Sequence, residues 1–359
     1  MADTDDIRFG REGGIATMLL NRPQALNAFT LGMYRRFEPM LIAWAGDPSV
    51  HVVLIEGAGD RAFCAGGDVR AVYEAGKGIA GDPDFTRVFF AEEYRIISRI
   101  HHYPKPYVAI IDGITMGGGA GVSVNGAYRV ATGRTMFAMP ETGIGLFPDV
   151  GATRFLNLCP GQTGRYLGLT GARLGPADVV YCGLATHFVP GERVGELKAT
   201  LAATAWGAGH ERAQVDALLG AFTADPGPPP LAARRAAIDR CFAGETIEAI
   251  LAALDAETED REWARETRDS LLGKSPTSLR ITLRQLIVGR GYDLEEALKL
   301  EYRMTQHVMA AHDFYEGIRA VLVDKDQQPR WRPASLAEVD AVTTESYLAP
   351  LGPGELMFD

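Results

Sequence analysis

Two carboxylates, Glu141 and Asp149, stand eight residues apart in the stretch FAMPETGIGLFPDVG, residues 137–151. Around them lie Met139, Ile144, Leu146 and Phe147, with glycines and prolines that stiffen the chain. An acid among such neighbours is poorly solvated, and desolvation raises its pKa and its basicity. That suits proton transfer or attack on a carbonyl. The bland alternative is a pair of helix-capping acids, because PET and PDV both resemble helix starts. On local sequence, capping has more weight for Asp149 than for Glu141.

Two glycine-rich stretches can supply the other half of a reaction. RAFCAGGDVR, residues 61–70, follows the apolar run VVLIEG. Adjacent glycines let backbone N–H groups approach a ligand with no Cβ in the way, and Asp68 can cap a following helix. TMGGGAG, residues 115–121, follows a second apolar run. A G-x-G-x-x-G dinucleotide fingerprint fails there, because Val122 and Val124 occupy the positions where its last glycine would fall. Two N–H groups from separate turns can instead converge on one developing oxyanion, each worth ~2.7–4 kcal/mol of transition-state stabilisation.

Alternating elements must position these turns. IATMLL (15–20), VVLIEG (52–57) and YVAIID (107–112) read as buried strands. Met33, Phe37, Leu41 and Trp44 recur at helical spacing, with Pro39 inside the pattern, so a helix that kinks or starts late is expected. GVSVNGAYRVA can begin a helix and then enter a strand. Strands alternating with helices predict an α/β fold. Beyond about residue 200 the pattern turns helical, with ADPGPPP (224–230) as a rigid connector. Asp293 and Glu296 form a capping-box pattern, followed by a face of Leu294, Leu298, Tyr302, Thr305 and Met309. The organisation expected is a catalytic core over 1–205 and a mainly helical region over 206–359.

The chain of 359 residues is 47% hydrophobic and 23% charged, with net charge −10. That balance argues against general nucleic-acid binding. The seven histidines form no metal-binding cluster, so no metal is expected. No apolar run reaches the ~18 residues of a membrane helix. Cys64, Cys159, Cys182 and Cys241 are widely spaced, as for buried, reduced thiols. The acidic start MADTDDIRFG is neither a secretory signal nor an Arg-rich transit peptide, so a cytoplasmic chain is expected.

LNRPQALNAF (20–29), FCAGGD (63–68), GITMGGGAG (113–121), MPETGIGLFPDVGATRFL (139–156) and LTGARLGPADVVYCGLATHFV (169–189) together resemble the crotonase (enoyl-CoA hydratase/isomerase) superfamily. The resemblance implies a spiral of ββα turns that binds acyl-coenzyme A thioesters. It implies an oxyanion hole from the N–H groups of Gly67 and Gly118. Hydratases of the superfamily carry two catalytic glutamates; one matches Glu141, and Gly121 stands in the place of the other. FFAEEY (89–94), GLFPDVG (145–151), SPTSLRITLRQL (275–286) and residues 301–331 are similar to the branch that hydrolyses 3-hydroxyisobutyryl-CoA in valine breakdown. That likeness places Glu93, Gly118, Glu141 and Asp149 where substrate is bound or transformed. Glu141 would act as nucleophile or as general base, and Asp149 would orient water or assist proton transfer. Glu93, or Glu92 beside it, would accept a hydrogen bond from the 3-hydroxyl. CoA enters as part of the substrate and no cofactor is implied; Arg22, Arg61, Lys105 and Lys274 are candidate phosphate contacts. The superfamily assembles as trimers or hexamers, and the long C-terminal region here allows a smaller homo-oligomer. A double-bond isomerase or hydratase, and a noncatalytic acyl-CoA-binding protein, are the alternatives.

Overall fold

A computed structural model describes residues 5–358; the first four residues of the acidic start lie outside the described residues. Two compact units are present, each assembled from three segments. The first takes the chain up to Gly67, then Arg95–Phe137 and Leu174–Pro230; the second takes Asp68–Tyr94, Ala138–Arg173 and Leu231 onward.

The first unit is built on a six-stranded sheet. Its strands are β1 (Ile7–Glu12), β2 (Ile15–Leu20), β3 (Val52–Gly57), β5 (Tyr107–Ile111), β7 (Tyr128–Ala131) and β9 (His187–Phe188), in that spatial order. A smaller sheet pairs β4 (Ala62–Cys64), β6 (Ile114–Met116) and β8 (Met136–Ala138). From β3 onward, successive strands enter the two sheets alternately. Each turn of chain therefore lays one strand in each sheet, which is the ββα spiral that the resemblance implies.

The continuous apolar runs explain the large sheet. All five residues of β5 and the first four of β3 are buried, as parallel strands covered on both faces must be. Val52, Leu54, Val108, Ile110 and Val130 pack with Leu197, Leu201, Val215, Leu219 and Phe222. The last five come from the helices Val194–Ala203 and Glu211–Phe222, so this helical stretch belongs to the core of the first unit. β1, whose sequence carries no strong apolar run, pairs antiparallel with β2. Pro39 neither delays nor ends its helix, which runs Leu31–Gly46 and is capped by the Thr30 side chain. All four cysteines are buried and none is in a disulfide.

The second unit is mainly helical. The helix Leu294–Met309 starts with the full capping box of Asp293 and Glu296. Together with Pro276–Val288 and Asp313–Ile318, it packs on the loop that carries Glu141 and Asp149. Among the described residues, no helix is long and apolar enough to cross a membrane.

Candidate active site

In the first unit, β4 and β6 run parallel, with Cys64 opposite Thr115. Both strands leave the small sheet at the same end, so the glycine turns that follow them are neighbours. A Cβ built on Gly66 would stand 3.8 Å from the Gly118 nitrogen. One on Gly119 would stand 2.3 Å from the Cys64 carbonyl oxygen, so Gly119 has no room for a side chain. Gly117, at φ +47°, takes a backbone conformation that L side chains avoid. Together these contacts offset the entropy cost of three consecutive glycines. Gly118 is the first residue of the helix Gly118–Val124. Its N–H is one of the donors a helix start leaves without an intrahelical acceptor. The Gly66–Gly67 turn is pinned to the chain before it: Phe29 N donates to Gly66 O at 2.9 Å, and Phe29 bridges Gly67.

In the second unit, Glu141 opens a short 3-10 helix, Glu141–Ile144. Its carboxyl is 5% exposed, and Oε2 is buried with no hydrogen-bond partner. Burial pushes its pKa well above the carboxylate range, and the negative charge of Asp149 pushes it further. Asp149 is 4% exposed and accepts a 2.7 Å hydrogen bond from the Tyr94 phenol. Burial raises its pKa to about 6, against the pull of that phenol bond and of its own backbone amide. Neighbouring buried acids cannot both ionise freely, so the two titrate as a pair and hold a proton that water-exposed acids would lose. The capping alternative fails for both. The helix Ala152–Phe155 has Gly151 at its N-cap with no side-chain cap, and Glu141 leaves an oxygen aimed at nothing.

The turn that carries Asp149 is unusual in its backbone. Val150 has φ +58° and Gly151 φ +92°. A β-branched residue is rarely left-handed and stays so only where the surroundings impose it. Here Glu301, fully buried on the helix Leu294–Met309, accepts from Gly151 N at 2.7 Å and from Thr153 N at 2.8 Å. Gln285 Nε2, also fully buried, donates to Pro148 O at 2.7 Å and to Thr153 Oγ1 at 2.8 Å.

Glu93 is 2% exposed, one residue before Tyr94 on the helix Phe85–His101, while Glu92 is only partly buried. Asp68 does cap Val69–Gly76, accepting from Ala71 N at 3.2 Å. Of the four candidate cations, Lys105 is taken up by the carbonyls of Trp44 and Asp47 at 2.6 Å, where it closes a helix end. Arg22 donates to Ala28 O and Arg61 to Pro23 O. Lys274 lies beside Gly143, where burial lowers its pKa. Tyr94, Glu301 and Gln285 are absent from the sequence-level site. The signal for Glu301 was an acid at helical spacing on the apolar stripe of Leu294, Leu298 and Thr305.

Residues 15–348 match the family described as enoyl-CoA hydratase/isomerase. This chain belongs to that family. A 3-hydroxyisobutyryl-CoA hydrolase, mitochondrial, from Xenopus laevis is 46% identical over 348 residues, covering 96% of this chain and 89% of that protein. A solved carnitinyl-CoA dehydratase from Mycobacterium thermoresistibile is 42% identical with a TM-score of 0.91, covering 99% of both chains. A solved enoyl-CoA hydratase from Rhodobacter sphaeroides is 39% identical with a TM-score of 0.87, covering 98% of this chain and 100% of the other. The cytoplasmic placement expected from the sequence is overturned by the first of these relatives, which is named as mitochondrial. Buried reduced thiols argue only for a reducing compartment, and a mitochondrial one satisfies that as well as the cytosol.

Proposed function

We propose that the protein hydrolyses a short 3-hydroxyacyl-CoA thioester, 3-hydroxyisobutyryl-CoA, to 3-hydroxyisobutyrate and CoA, a step of valine breakdown. The observation that carries this is Glu141, among the described residues the one buried glutamate with an unpartnered side-chain oxygen, combined with glycine at position 121. Adding water across a double bond in this family uses two glutamates; cleaving a thioester needs one carboxylate and an oxyanion hole. The 46% identity to a hydrolase of that name over nearly the whole chain supports the same substrate.

In this proposal the amides of Gly67 and Gly118 receive the thioester oxygen as negative charge builds on it. Glu141, once ionised, attacks the carbonyl carbon or takes a proton from an attacking water. In the first route the C–S bond breaks to release CoA thiol and leaves a mixed anhydride, which water then hydrolyses. In the second, water attacks directly and the same bond breaks. A carboxylate stripped of water is a stronger base and nucleophile than a solvated one, which fits the burial of Glu141. Asp149, as the carboxylate, orients the attacking water and relays its proton to the departing thiolate. Glu93 accepts from the 3-hydroxyl, so an acyl group without that hydroxyl forgoes this bond and is disfavoured. The substrate is the only ligand this chemistry requires, and it brings its own coenzyme A.

The second reading is a hydratase or isomerase, favoured by the names of the two solved relatives. Free thiol release from 3-hydroxyisobutyryl-CoA, measured beside hydration of crotonyl-CoA, separates them. Rapid crotonyl-CoA hydration without thiol release would sink the hydrolase proposal.

A further inference from the structure

We propose that Glu301 and Gln285 are positioning residues for the reaction, a two-point clamp that holds the turn carrying Asp149. This rests on the hydrolase proposal above and extends it to residues that touch no substrate. The turn runs from Pro148 to Thr153, and two side chains distant in sequence fasten it. Glu301 takes the Gly151 and Thr153 amides, and Gln285 takes the Pro148 carbonyl and the Thr153 hydroxyl. The Thr153 hydroxyl also hydrogen-bonds Glu301, so the two halves of the clamp are joined through one residue.

A buried carboxylate without a cation is costly, and the two amide bonds it accepts are what offset that cost. The geometry points to something that packing alone does not supply. Val150 must stay left-handed for Asp149 to meet the Tyr94 phenol at 2.7 Å, and a β-branched residue relaxes out of that conformation unless its neighbours are pinned. Both amides that Glu301 holds follow Val150 directly or closely, and the carbonyl that Gln285 holds precedes Asp149. The clamp therefore brackets the two residues whose conformation sets the direction of the Asp149 carboxyl.

Asp149 is faced by Tyr94 from Phe85–His101, with Glu93 beside that phenol, by Glu141 from its 3-10 helix and by Glu301 from Leu294–Met309. Pro276–Val288 presents the neutral Gln285, and Asp313 packs by its backbone on Gly145. Among acids this numerous, the phenol bond, together with Asp149's own backbone amide, favours the ionised form of Asp149. Loosening the turn weakens that bond. It moves the acid limb of the rate to higher pH even when no charge has been altered.

The test compares wild type, Glu301→Gln, Gln285→Met and Tyr94→Phe in thiol release across the acid limb, with rates referred to folded protein by near-ultraviolet circular dichroism. In Glu301→Gln one acceptor becomes a donor facing an amide N–H. Gln285→Met keeps the length of the side chain and changes no charge. Both are expected to lose roughly 10- to 100-fold in kcat, the scale of a misplaced catalytic group. KM should change little. Gln285→Met should also raise the pH of the acid limb, as Tyr94→Phe does. Wild-type kcat in both clamp variants overturns the inference. So does a rate loss in Gln285→Met with an unmoved limb, the behaviour of a clamp that only stabilises the fold. A wild type that hydrates crotonyl-CoA but releases no thiol marks the failure of the hydrolase proposal instead, and the positioning role for hydrolysis falls with it.

Discussion

Replacing Tyr94 by phenylalanine removes one oxygen and nothing else from the site. The phenol donates to Asp149 Oδ2 at 2.7 Å, and both residues are buried. A hydrogen bond to a charged acceptor is worth ~1.5–3 kcal/mol and one to a neutral acceptor about 1, and 1.36 kcal/mol of difference corresponds to one pH unit, so Asp149 should move up by about 0.5 to 1.5 units. From about 6, that carries the ionisation to roughly 6.5–7.5. The sign follows from the bond favouring the carboxylate, so that its loss favours the acid. Thiol release from 3-hydroxyisobutyryl-CoA against pH should therefore show an acid limb displaced upward, with the rate on the alkaline side of the limb much less affected. Stability gives a second readout. The folded pKa of Asp149 lies above its ordinary value of 3.8, so the stability this group contributes is complete below that value and is lost as pH rises through about 6. In Tyr94→Phe the loss continues to higher pH. Denaturation at pH ~8 should find the variant weaker by roughly 1.5–3 kcal/mol, and at pH ~4 by only about 1, the worth of a neutral hydrogen bond. A limb that stays in place, or moves down, would refute the assignment of the phenol as the group that keeps Asp149 ionised.

Glu141→Gln should cut thiol release by ~10²–10⁴-fold while substrate binding, measured by calorimetry, persists; an active variant would remove Glu141 from the chemistry. Asp149→Asn takes away the negative charge that raises Glu141, so its remaining acid limb should move to lower pH, opposite to Tyr94→Phe. Gly119→Ala puts a methyl 2.3 Å from the Cys64 oxygen and must displace the Gly118 amide, whereas Gly133→Ala meets nothing within 4 Å. The first should cost roughly 10²–10³-fold in kcat and the second almost nothing, and equal rates would speak against Gly118 as an oxyanion donor. Repeated turnover in ¹⁸O-water followed by peptide mass analysis should place label in the Glu141 carboxyl if it attacks directly, and leave it unlabelled if it activates water.

Several features were readable locally because the forces that create them are local. A run such as VVLIEG is apolar at every position, and only a strand covered on both faces can bury it. Three glycines in succession weaken any element, so their presence at 117–119 announced a close approach or an unusual backbone angle, and both are there. The Asp293–Glu296 box closes within one turn of helix. β1 escaped because IRFGRE owes its place to pairing with β2, which no periodicity in the segment records. Pro39 misled in the other direction: the buried face of Met33, Phe37, Leu41 and Trp44 holds the helix together across it.

Amino-acid order by itself determined that two acids sit in an oily frame and that two glycine-rich turns follow buried apolar runs. It did not determine what either acid does, because both capping and catalysis begin with the same letters. The tertiary structure decided against capping, by bringing to Asp149 a phenol from a helix 55 residues earlier and by leaving Glu141 Oε2 with no partner. It also decided that Glu301, 150 residues beyond Gly151, holds the backbone of that turn. The physical reason is that desolvation and hydrogen bonding act through space. The pKa of a carboxyl depends on which atoms fill the few ångströms around it, and those atoms are supplied by segments whose own sequence gives no sign of where they will dock.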